Sequence, residues 1–178
     1  MEDMLQLVDE LDNIIGYGPK LEVHRKKLRH RAFSLFIYDP VRDLVLLHRR
    51  ALGKYHSGGL WTNACCSHPR KDEPLPTAVC RRTFQELGLT VTEDRIRELG
   101  SFEYFKDFGD LAEFEIDHVF VWEADMEGLP PRPDPEEIME LQWISVPQLQ
   151  QWMAQRPEDF TAWFFPACGL FLKETAAR

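Results

Sequence analysis

The sequence predicts an α+β fold in which a mixed β-sheet is flanked by helices. Most apolar segments are short and rich in β-branched and aromatic residues, which is typical of strands. One helical pattern falls in the middle of the chain and two more fall at its end. Strands around a central helix, followed by terminal helices, favour an α+β arrangement or an α/β arrangement with a mixed sheet.

The strands are predicted from short runs of apolar residues. The turn residues Asp39-Pro40-Val41-Arg42-Asp43 join two of these runs, which indicates a β-hairpin. The six predicted strands cover residues 4–8, 32–38, 44–47, 102–105, 113–122 and 138–144.

The central helix is predicted over residues 77–87, with Pro76 near its start and Gly88 as its stop. A second helix begins after Ser145 and runs through Met153, and a last one covers residues 163–174. Two segments are predicted as irregular: the long loop 53–74, and residues 127–137, whose prolines resemble a linker.

Composition limits the class of protein. A chain of 178 residues predicts one domain over residues 1–178, and 44% hydrophobic content argues against a disordered chain. A net charge of −9 disfavours general binding to nucleic acid or anionic membranes. No segment resembles a signal peptide or a span of about 20 apolar residues. With an adjacent cysteine pair, which suits a disulfide framework poorly, we expect a cytoplasmic protein with reduced thiols.

Basic residues are concentrated in one segment of this acidic protein. Residues 20–54 contain ten Lys or Arg against three acids. The concentration suggests a local anion site, although a solvated basic face is the ordinary alternative and is favoured on charge alone.

The predicted strand around Glu115 alternates strictly. Period two places Glu113, Glu115 and Asp117 on one face, and Phe114, Ile116 and His118 on the other. An exposed acidic face is the simpler interpretation, whereas a bound cation would turn the three carboxylates into ligands.

Histidines supply candidate partners for such a cation. His24, His30 and His68 lie beside basic or loop segments, and imidazole with carboxylate suits Mn²⁺, Zn²⁺ or Mg²⁺. Each is more often a hydrogen-bonded structural residue when it occurs alone. No short ligand spacing such as HExxH is present.

The segment 61–69 combines thiols with an imidazole. Cys65 and Cys66 lie within three residues of His68, a neighbour that can lower a thiol pKa or exchange protons with it. Small buried hydrophobic residues are an equally weighted alternative for the cysteine pair.

The central helix carries a degenerate motif. Arg82 and Glu86 are four apart, so a surface ion pair is possible. The region is similar to the Nudix box, G-x5-E-x7-R-E-U-x-E-E-x-G-U, with U aliphatic; Ser67, Arg82 and Gln85 replace a Gly and two Glu. Nudix hydrolases use these glutamates to hold Mg²⁺, so hydrolysis is compromised. Arg82 can still bind phosphate in bidentate fashion, and Glu86 can take Mg²⁺. The aligned residues are Ser67, Glu73, Arg81, Arg82, Thr83, Gln85, Glu86, Gly88 and Leu89.

Nearly the whole chain resembles the type I isopentenyl-diphosphate Δ-isomerases, enzymes with a Nudix fold. The most specific part is Trp-Thr-Asn followed by Cys-x-His-Pro, with Glu-x-Glu downstream. The resemblance implies a Nudix-like α/β/α sandwich with a mixed sheet. It is carried by His30-Arg-Ala-Phe-Ser, Arg49-Arg50-Ala-Leu with Lys54, the segment from Trp61 to Pro69, Ala78-Val-Cys-Arg-Arg82, Glu86-Leu-Gly, Glu113-Phe-Glu115 and Trp163.

The resemblance also implies roles for individual residues. Cys66 and Glu115 become the acid–base pair on opposite faces of the substrate, and Glu86 becomes the ligand of a Mg²⁺ that reaches the diphosphate. One further divalent metal (Mn²⁺, Mg²⁺ or Zn²⁺) is implied, and no flavin. Its ligands would be His24, His30, His68, Glu113 and Glu115. The diphosphate positions would be Lys20, Arg50, Lys54 and Arg82, with Tyr104 and Trp163 lining the isoprenoid end.

The implied reaction interconverts isopentenyl and dimethylallyl diphosphate by alkene protonation and deprotonation. The implied partner is a small isoprenoid diphosphate, bound by a monomer or homodimer without nucleic acid or membrane. Two alternatives are a Nudix-type diphosphate hydrolase and a non-catalytic module that binds metal or diphosphate. We expect the following side chains to have structural rather than functional roles: Cys65, Cys80, Cys168, His48, His56, His118, Trp143 and Trp152.

Overall fold

The computed structural model describes residues 3–177, and within this range nine strands form one mixed sheet. β3 and β8 pair in parallel, and the other strand pairs are antiparallel. The strands are β1 Met4–Val8, β2 Ile14–Pro19, β3 His30–Asp39, β4 Leu44–Arg50, β5 Trp61–Thr62, β6 Cys65–Ser67, β7 Ile96–Asp107, β8 Ala112–Glu123 and β9 Ile138–Ser145.

Helices pack on both faces of this sheet. One apolar cluster joins the sheet to α2, and the other joins it to α3 and α4. This arrangement confirms the predicted α+β class. Between residues 3 and 177, no helix is long and apolar enough to cross a membrane. The helices are α1 Lys20–Arg25, α2 Leu75–Leu87, α3 Val146–Gln155 and α4 Phe164–Ala176, with short 3-10 turns at Glu93–Arg95, Met126–Gly128 and Pro157–Asp159.

Strand β3 lies at the centre because both of its faces are apolar. Phe36 contributes to the cluster under α3 and α4, whereas Phe33, Leu35 and Ile37 contribute to the cluster under α2. A strand covered on both faces shows a continuous apolar run rather than alternation. That run is the pattern from which the strand was predicted.

Most predicted elements are present, some of them longer than expected. β1 matches its prediction, the hairpin of β3 and β4 is confirmed, and α2 begins two residues earlier than predicted. The prediction covered four of the twelve residues of β7, because the strand alternates little between apolar and polar residues and its full length follows from its pairing with β8. The domain assignment for residues 1–178 stays a prediction.

Four elements were missed. β2 contains two glycines and a proline, and α1 has only six residues, so neither shows a clear period. β5 and β6 have two and three residues and lie inside the predicted loop 53–74. Such short strands are specified by their pairing with β4 and β3 rather than by their own composition.

The proline-rich segment 127–137 is irregular after its first turn, as predicted, but it also completes α2. The amide of Arg132 donates to the carbonyl of Leu87 at 2.7 Å, and that of Asp134 donates to Glu86 at 2.9 Å. Gly88 ends the helix in the left-handed conformation, with φ of 65°. The segment therefore satisfies carbonyls that a helix end leaves unpaired.

Replacing Gly88 with alanine tests this helix end. A non-glycine residue in the left-handed region costs about 1–2 kcal/mol. The new Cβ would also lie 3.0 Å from the Cβ of Arg132. We expect Gly88→Ala to lower the free energy of unfolding in urea by at least about 1–2 kcal/mol.

Gly169 is the matched control, since it lies exposed within α4 and an added Cβ meets no atom within 4 Å. Gly169→Ala should raise the free energy of unfolding by about 0.5–1 kcal/mol. Equal stability of the two variants would contradict the account of the helix end.

Candidate active site

The site lies on one face of the β3–β8 pair. The parallel register places His30 opposite Glu115 and Ala32 opposite Asp117. Farther along β3, the same face carries Phe36, which packs beneath α4. One sheet face is therefore polar at one end and apolar at the other.

The acidic residues of β8 share this face, as the alternation predicted, but they are not exposed. Glu113, Glu115 and Asp117 are 6%, 5% and 1% exposed. The interpretation as a solvated acidic strand is therefore wrong. Buried carboxylates at neighbouring positions of one face require partners, because an unpaired buried charge is costly.

Three histidines gather around Glu115. Ligating atoms of His24, His30, His68 and Glu115 all lie within 4.8 Å of one another. The Nε2 atoms of His68 and His30 lie 2.9 Å and 3.4 Å from the same oxygen of Glu115. The cluster contains three of the histidines singled out from the sequence.

The hydrogen bonds of these rings leave nitrogen lone pairs available. Nδ1 of His24 donates to the carbonyl of Lys20 at 2.7 Å, and Nδ1 of His30 donates to that of Leu28 at 2.9 Å. Both Nε2 atoms are buried without a hydrogen-bond partner. A carbonyl can only accept, so each Nε2 carries a free lone pair suited to a metal. These residues could hold one divalent metal.

Burial favours the neutral form of His24 and His68. It lowers the pKa of His24, and it lowers the pKa of His68 well below the usual value; His30 acts in the same direction on both. Neutral imidazole is the form that binds metals. The lowered pKa values of His24 and His68 and the hydrogen bonds of His24 and His30 therefore both favour metal binding.

Glu113 lies beside this cluster rather than in it. Its Oε1 lies 2.8 Å from Nε2 of His56, and its Oε2 is buried without a hydrogen-bond partner. His56 received a structural interpretation from the sequence, yet it lines the same pocket as Glu113 and Cys66. No spacing or periodicity in the sequence distinguished it.

Cys66 faces the pocket from β6, paired with Ser34 of β3. Nε1 of Trp163 donates to its Sγ at 3.3 Å, and the thiol donates to Oδ1 of Asn63 at 3.0 Å. The amide of Asn63 is itself fixed, because its Nδ2 donates to the carbonyls of Leu35 and Cys65 at 3.0 and 2.9 Å. The thiol hydrogen therefore has a fixed direction.

Burial, together with the charge of Asp117, raises the pKa of Cys66 to about 12. The suggestion that a neighbouring imidazole lowers the thiol pKa is therefore not supported by the geometry. Asp117 accepts a hydrogen bond from Ser34 at 2.9 Å. Burial, and next the charge of Glu115, raises its own pKa well above the usual value. Asp117 and Asn63 are site residues that had no assigned role.

Four basic side chains line the same pocket as the carboxylates: Lys20, Arg50, Lys54 and Arg82. The guanidinium of Arg50 lies 5.0 Å from the ring centre of Trp163. Burial lowers the pKa of Lys20, as do the charges of Lys54 and Arg82. The predicted cations therefore converge on one place, as an anion site requires.

Two carboxylates form ion pairs with Arg82 and Lys54. Glu86 pairs with Arg82 in the pocket wall, and burial raises its pKa. Glu137, which was not singled out from the sequence, lies 2.5 Å from Lys54 and 3.3 Å from Arg82. Burial would raise the pKa of Glu137, but the hydrogen bond and charge of Lys54, with those of Arg82, lower it to about 2.

Trp163 lines the pocket, whereas Tyr104 lies behind Trp163 and is not among the lining residues. Trp163 is buried, and the ring of Tyr104 lies edge-on to it at 6.3 Å between centres. The hydroxyl of Tyr104 is buried without a hydrogen-bond partner.

Glu73, Arg81 and Gln85 of the Nudix-like motif form hydrogen bonds with one another. Glu73 accepts two bonds from the guanidinium of Arg81, at 2.6 and 2.8 Å. Gln85 also accepts from Arg81, at 3.1 Å. Among the aligned acids, Glu86 is therefore the one that reaches the pocket.

The fold places the chain in a known class. Residues 28–164 match the NUDIX domain family. A solved structure from Deinococcus radiodurans superposes with a TM-score of 0.68 at 19% identity, covering 86% of this chain and 90% of the other. The MutT protein from Methanosarcina mazei gives a TM-score of 0.65 at 20% identity, with coverages of 82% and 94%. These structures establish a Nudix fold.

Relatives of higher identity narrow the class. The isopentenyl-diphosphate Delta-isomerase of Burkholderia multivorans is 45% identical over 92% of this chain and 90% of its own length. That of Serratia proteamaculans is 43% identical, with coverages of 92% and 88%. The chain belongs to the isopentenyl-diphosphate Delta-isomerase family.

The raised pKa of Cys66 predicts how its thiol reacts. Because the pKa is about 12, almost all of the thiol is protonated at pH 7, and the reactive thiolate increases about tenfold per pH unit above that. We expect iodoacetamide to modify Cys66 slowly at pH 7–8, with a rate still rising at pH 10. Peptide mass spectrometry separates Cys66 from the half-buried Cys80. A rate that levels off below pH 9 would contradict the raised pKa.

Proposed function

We propose that this pocket interconverts isopentenyl and dimethylallyl diphosphate, with Cys66 and Glu115 as its acid–base pair. The observation that carries the proposal is one pocket lined by the half-buried thiol of Cys66, the buried carboxylate of Glu115 and four basic side chains. Such a pocket combines proton transfer with binding of a small diphosphate, which the family requires.

The chemistry demands two proton-carrying groups. The substrate alkene is unactivated, so a proton must be added to its terminal carbon, where the π electron pair forms the new C–H bond. The result is a tertiary carbocation. Loss of a proton from the carbon on the other side returns an electron pair and forms the internal double bond. A fixed acid and a fixed base lower the barrier to both transfers.

Cys66 and Glu115 suit these two roles. The thiol keeps its proton at neutral pH, and Asn63 and Trp163 fix its orientation. Glu115 is hydrogen-bonded to His68 at 2.9 Å, and Nε2 of His30 lies 3.4 Å from the same oxygen. We assign one face of the substrate to each group.

The residues of the cluster fit a metal, and we propose His24, His30, His68, Glu113 and Glu115 as its ligands. When bound, a divalent cation (Mn²⁺, Mg²⁺ or Zn²⁺) would fix the carboxylate of Glu115 and adjust its acidity, and Mg²⁺ at Glu86 would neutralise diphosphate charge. Glu113 would contribute through Oε2, the oxygen that has no hydrogen-bond partner.

The remaining pocket residues bind and protect the substrate. We propose that Lys20, Arg50, Lys54 and Arg82 bind the diphosphate, with the two arginines able to donate in bidentate fashion. Trp163, with Tyr104 beside it, presents a π face that stabilises a carbocation by about 2 kcal/mol in a dry pocket. Exclusion of water keeps the cation from becoming an alcohol.

Nudix-type hydrolysis is the alternative reaction. It needs several carboxylates on the central helix, but Arg82 and Gln85 replace two of them. Glu73 is engaged by Arg81. These contacts disfavour hydrolysis, and the thiol of Cys66 would have no task in it. The same thiol argues against a non-catalytic binding module.

Removal of either proton carrier tests the proposal. We expect Cys66→Ala and Glu115→Gln to lower kcat at least about 10²–10⁴-fold, since each removes an acid–base group. The assay is proton NMR of isopentenyl diphosphate in D₂O with Mg²⁺, which follows dimethylallyl product and deuterium incorporation.

Cys80→Ala is the control, because this thiol lies on α2 outside the pocket and its loss should leave kcat unchanged. Circular dichroism checks that each variant folds. Near wild-type turnover by Cys66→Ala or Glu115→Gln would overturn the assignment. Release of phosphate or pyrophosphate without isomerisation would instead support hydrolysis.

A further inference from the structure

We infer that His56 is a positioning residue that holds one oxygen of Glu113 and thereby leaves the other to bind metal. The inference rests on the proposed function, because it gives Glu113 a task at the metal cluster. His56 lies in the loop between β4 and β5, outside the group formed by the three clustered histidines and Glu115.

The contacts of His56 engage both nitrogens of its ring. Nε2 lies 2.8 Å from Oε1 of Glu113, and Nδ1 lies 3.1 Å from Oγ of Ser57. The carboxylate of Glu113 can only accept, so Nε2 carries the hydrogen of this bond. The hydroxyl of Ser57 is the partner of Nδ1.

Aromatic contacts fix the plane of the ring. Phe108 stacks on His56 with ring centres 4.5 Å apart and an angle of 16° between planes. Trp163 meets it nearly at a right angle, with ring centres 5.8 Å apart. The imidazole is 3% exposed, so it has little room to rotate away from Glu113.

The contact with His56 determines which oxygen of Glu113 is left without a hydrogen-bond partner. With Oε1 engaged by His56, the buried Oε2 is the oxygen that has no hydrogen-bond partner. A buried unpartnered carboxylate oxygen is costly, which favours a bound cation at that position. Metal ligands are commonly oriented by such an outer hydrogen bond, and losing it costs about 10–100-fold in affinity or activity.

Two substitutions separate the hydrogen bond from the packing. His56→Phe keeps an aromatic ring between Phe108 and Trp163 but removes the N–H. His56→Gln keeps an N–H near the position of Nε2 but removes the ring. His118→Gln is the matched control, because His118 also contacts two carboxylates, Asp12 and Glu98, but does so away from the pocket.

The measurement is Mn²⁺ affinity of the full chain without substrate, from the electron paramagnetic resonance signal of free Mn²⁺. We expect His56→Phe to weaken binding about 10–100-fold, whereas His56→Gln should stay within a few-fold of wild type and His118→Gln should be unchanged. Steady-state kinetics should show a fall in kcat for His56→Phe with a much smaller change in KM. If that variant does not fold, His56→Asn, which is too short to reach Glu113, replaces it.

Wild-type affinity in His56→Phe, or equal weakening in the Phe and Gln variants, would overturn the inference. Wild-type protein that binds neither Mn²⁺ nor Zn²⁺ would overturn it as well. Failure of the proposed function is distinguishable, since it would appear as wild-type protein that binds Mn²⁺ but does not isomerise isopentenyl diphosphate.

Discussion

The parallel pairing of β3 with β8 is the interaction on which both the core and the pocket depend. It runs in unbroken register from His30 opposite Glu115 to Tyr38 opposite Glu123. A slip of one residue would turn the side chains of a strand to the opposite face. The apolar side chains along the second half of β3 make such a slip costly, because they fill a core cluster on each face of the sheet. The packing of the core therefore also determines which carboxylates of β8 enter the pocket.

The pocket tolerates many buried charges because most of them are matched. Arg82 pairs with Glu86, and Lys54 pairs with Glu137. Each pair leaves a charged pocket wall that costs less than isolated ions would. Three of the unmatched atoms are instructive: Nε2 of His24, Nε2 of His30 and Oε2 of Glu113 are buried without hydrogen-bond partners. They lie in and beside the cluster for which a metal is proposed, so the same cation would compensate all of them.

Sequence patterns were sufficient for the elements whose burial is periodic or complete. The apolar run of β3 and the Pro and Gly that bound α2 are local signals, and both elements were predicted. β2 and α1 carry no such signal, because their conformations depend on pairing and packing with distant residues.

The site was predicted through resemblance rather than through spacing. The motif around Cys66 and the Glu-x-Glu of β8 identified residues that the fold does bring into one pocket. His56 and Glu137 were missed, because each contributes through a hydrogen bond or ion pair to a residue distant in the sequence. Asn63 and Asp117 belonged to patterns that were noted, but their bonds to Cys66 and Ser34 appear only in the fold. Such partners have no characteristic spacing. The position of a residue in the sequence predicts its contacts in the site only once the register of β3, β6 and β8 is known.

The two adjacent cysteines of β6 fit the two interpretations made from the sequence, one as a buried hydrophobic residue and the other as a thiol of the site. Because successive residues of β6 point to opposite faces, Cys65 enters the apolar cluster under α2 and Cys66 enters the pocket. Burial raises the pKa of both thiols. The thiol of Cys65 donates to Glu86, whereas that of Cys66 donates to Asn63 and accepts from Trp163. Burial therefore keeps the Cys66 thiol protonated at neutral pH and makes it a poor nucleophile. In the proposed reaction the same raised pKa would make its thiolate a strong base, which would favour return of the proton to the sulfur.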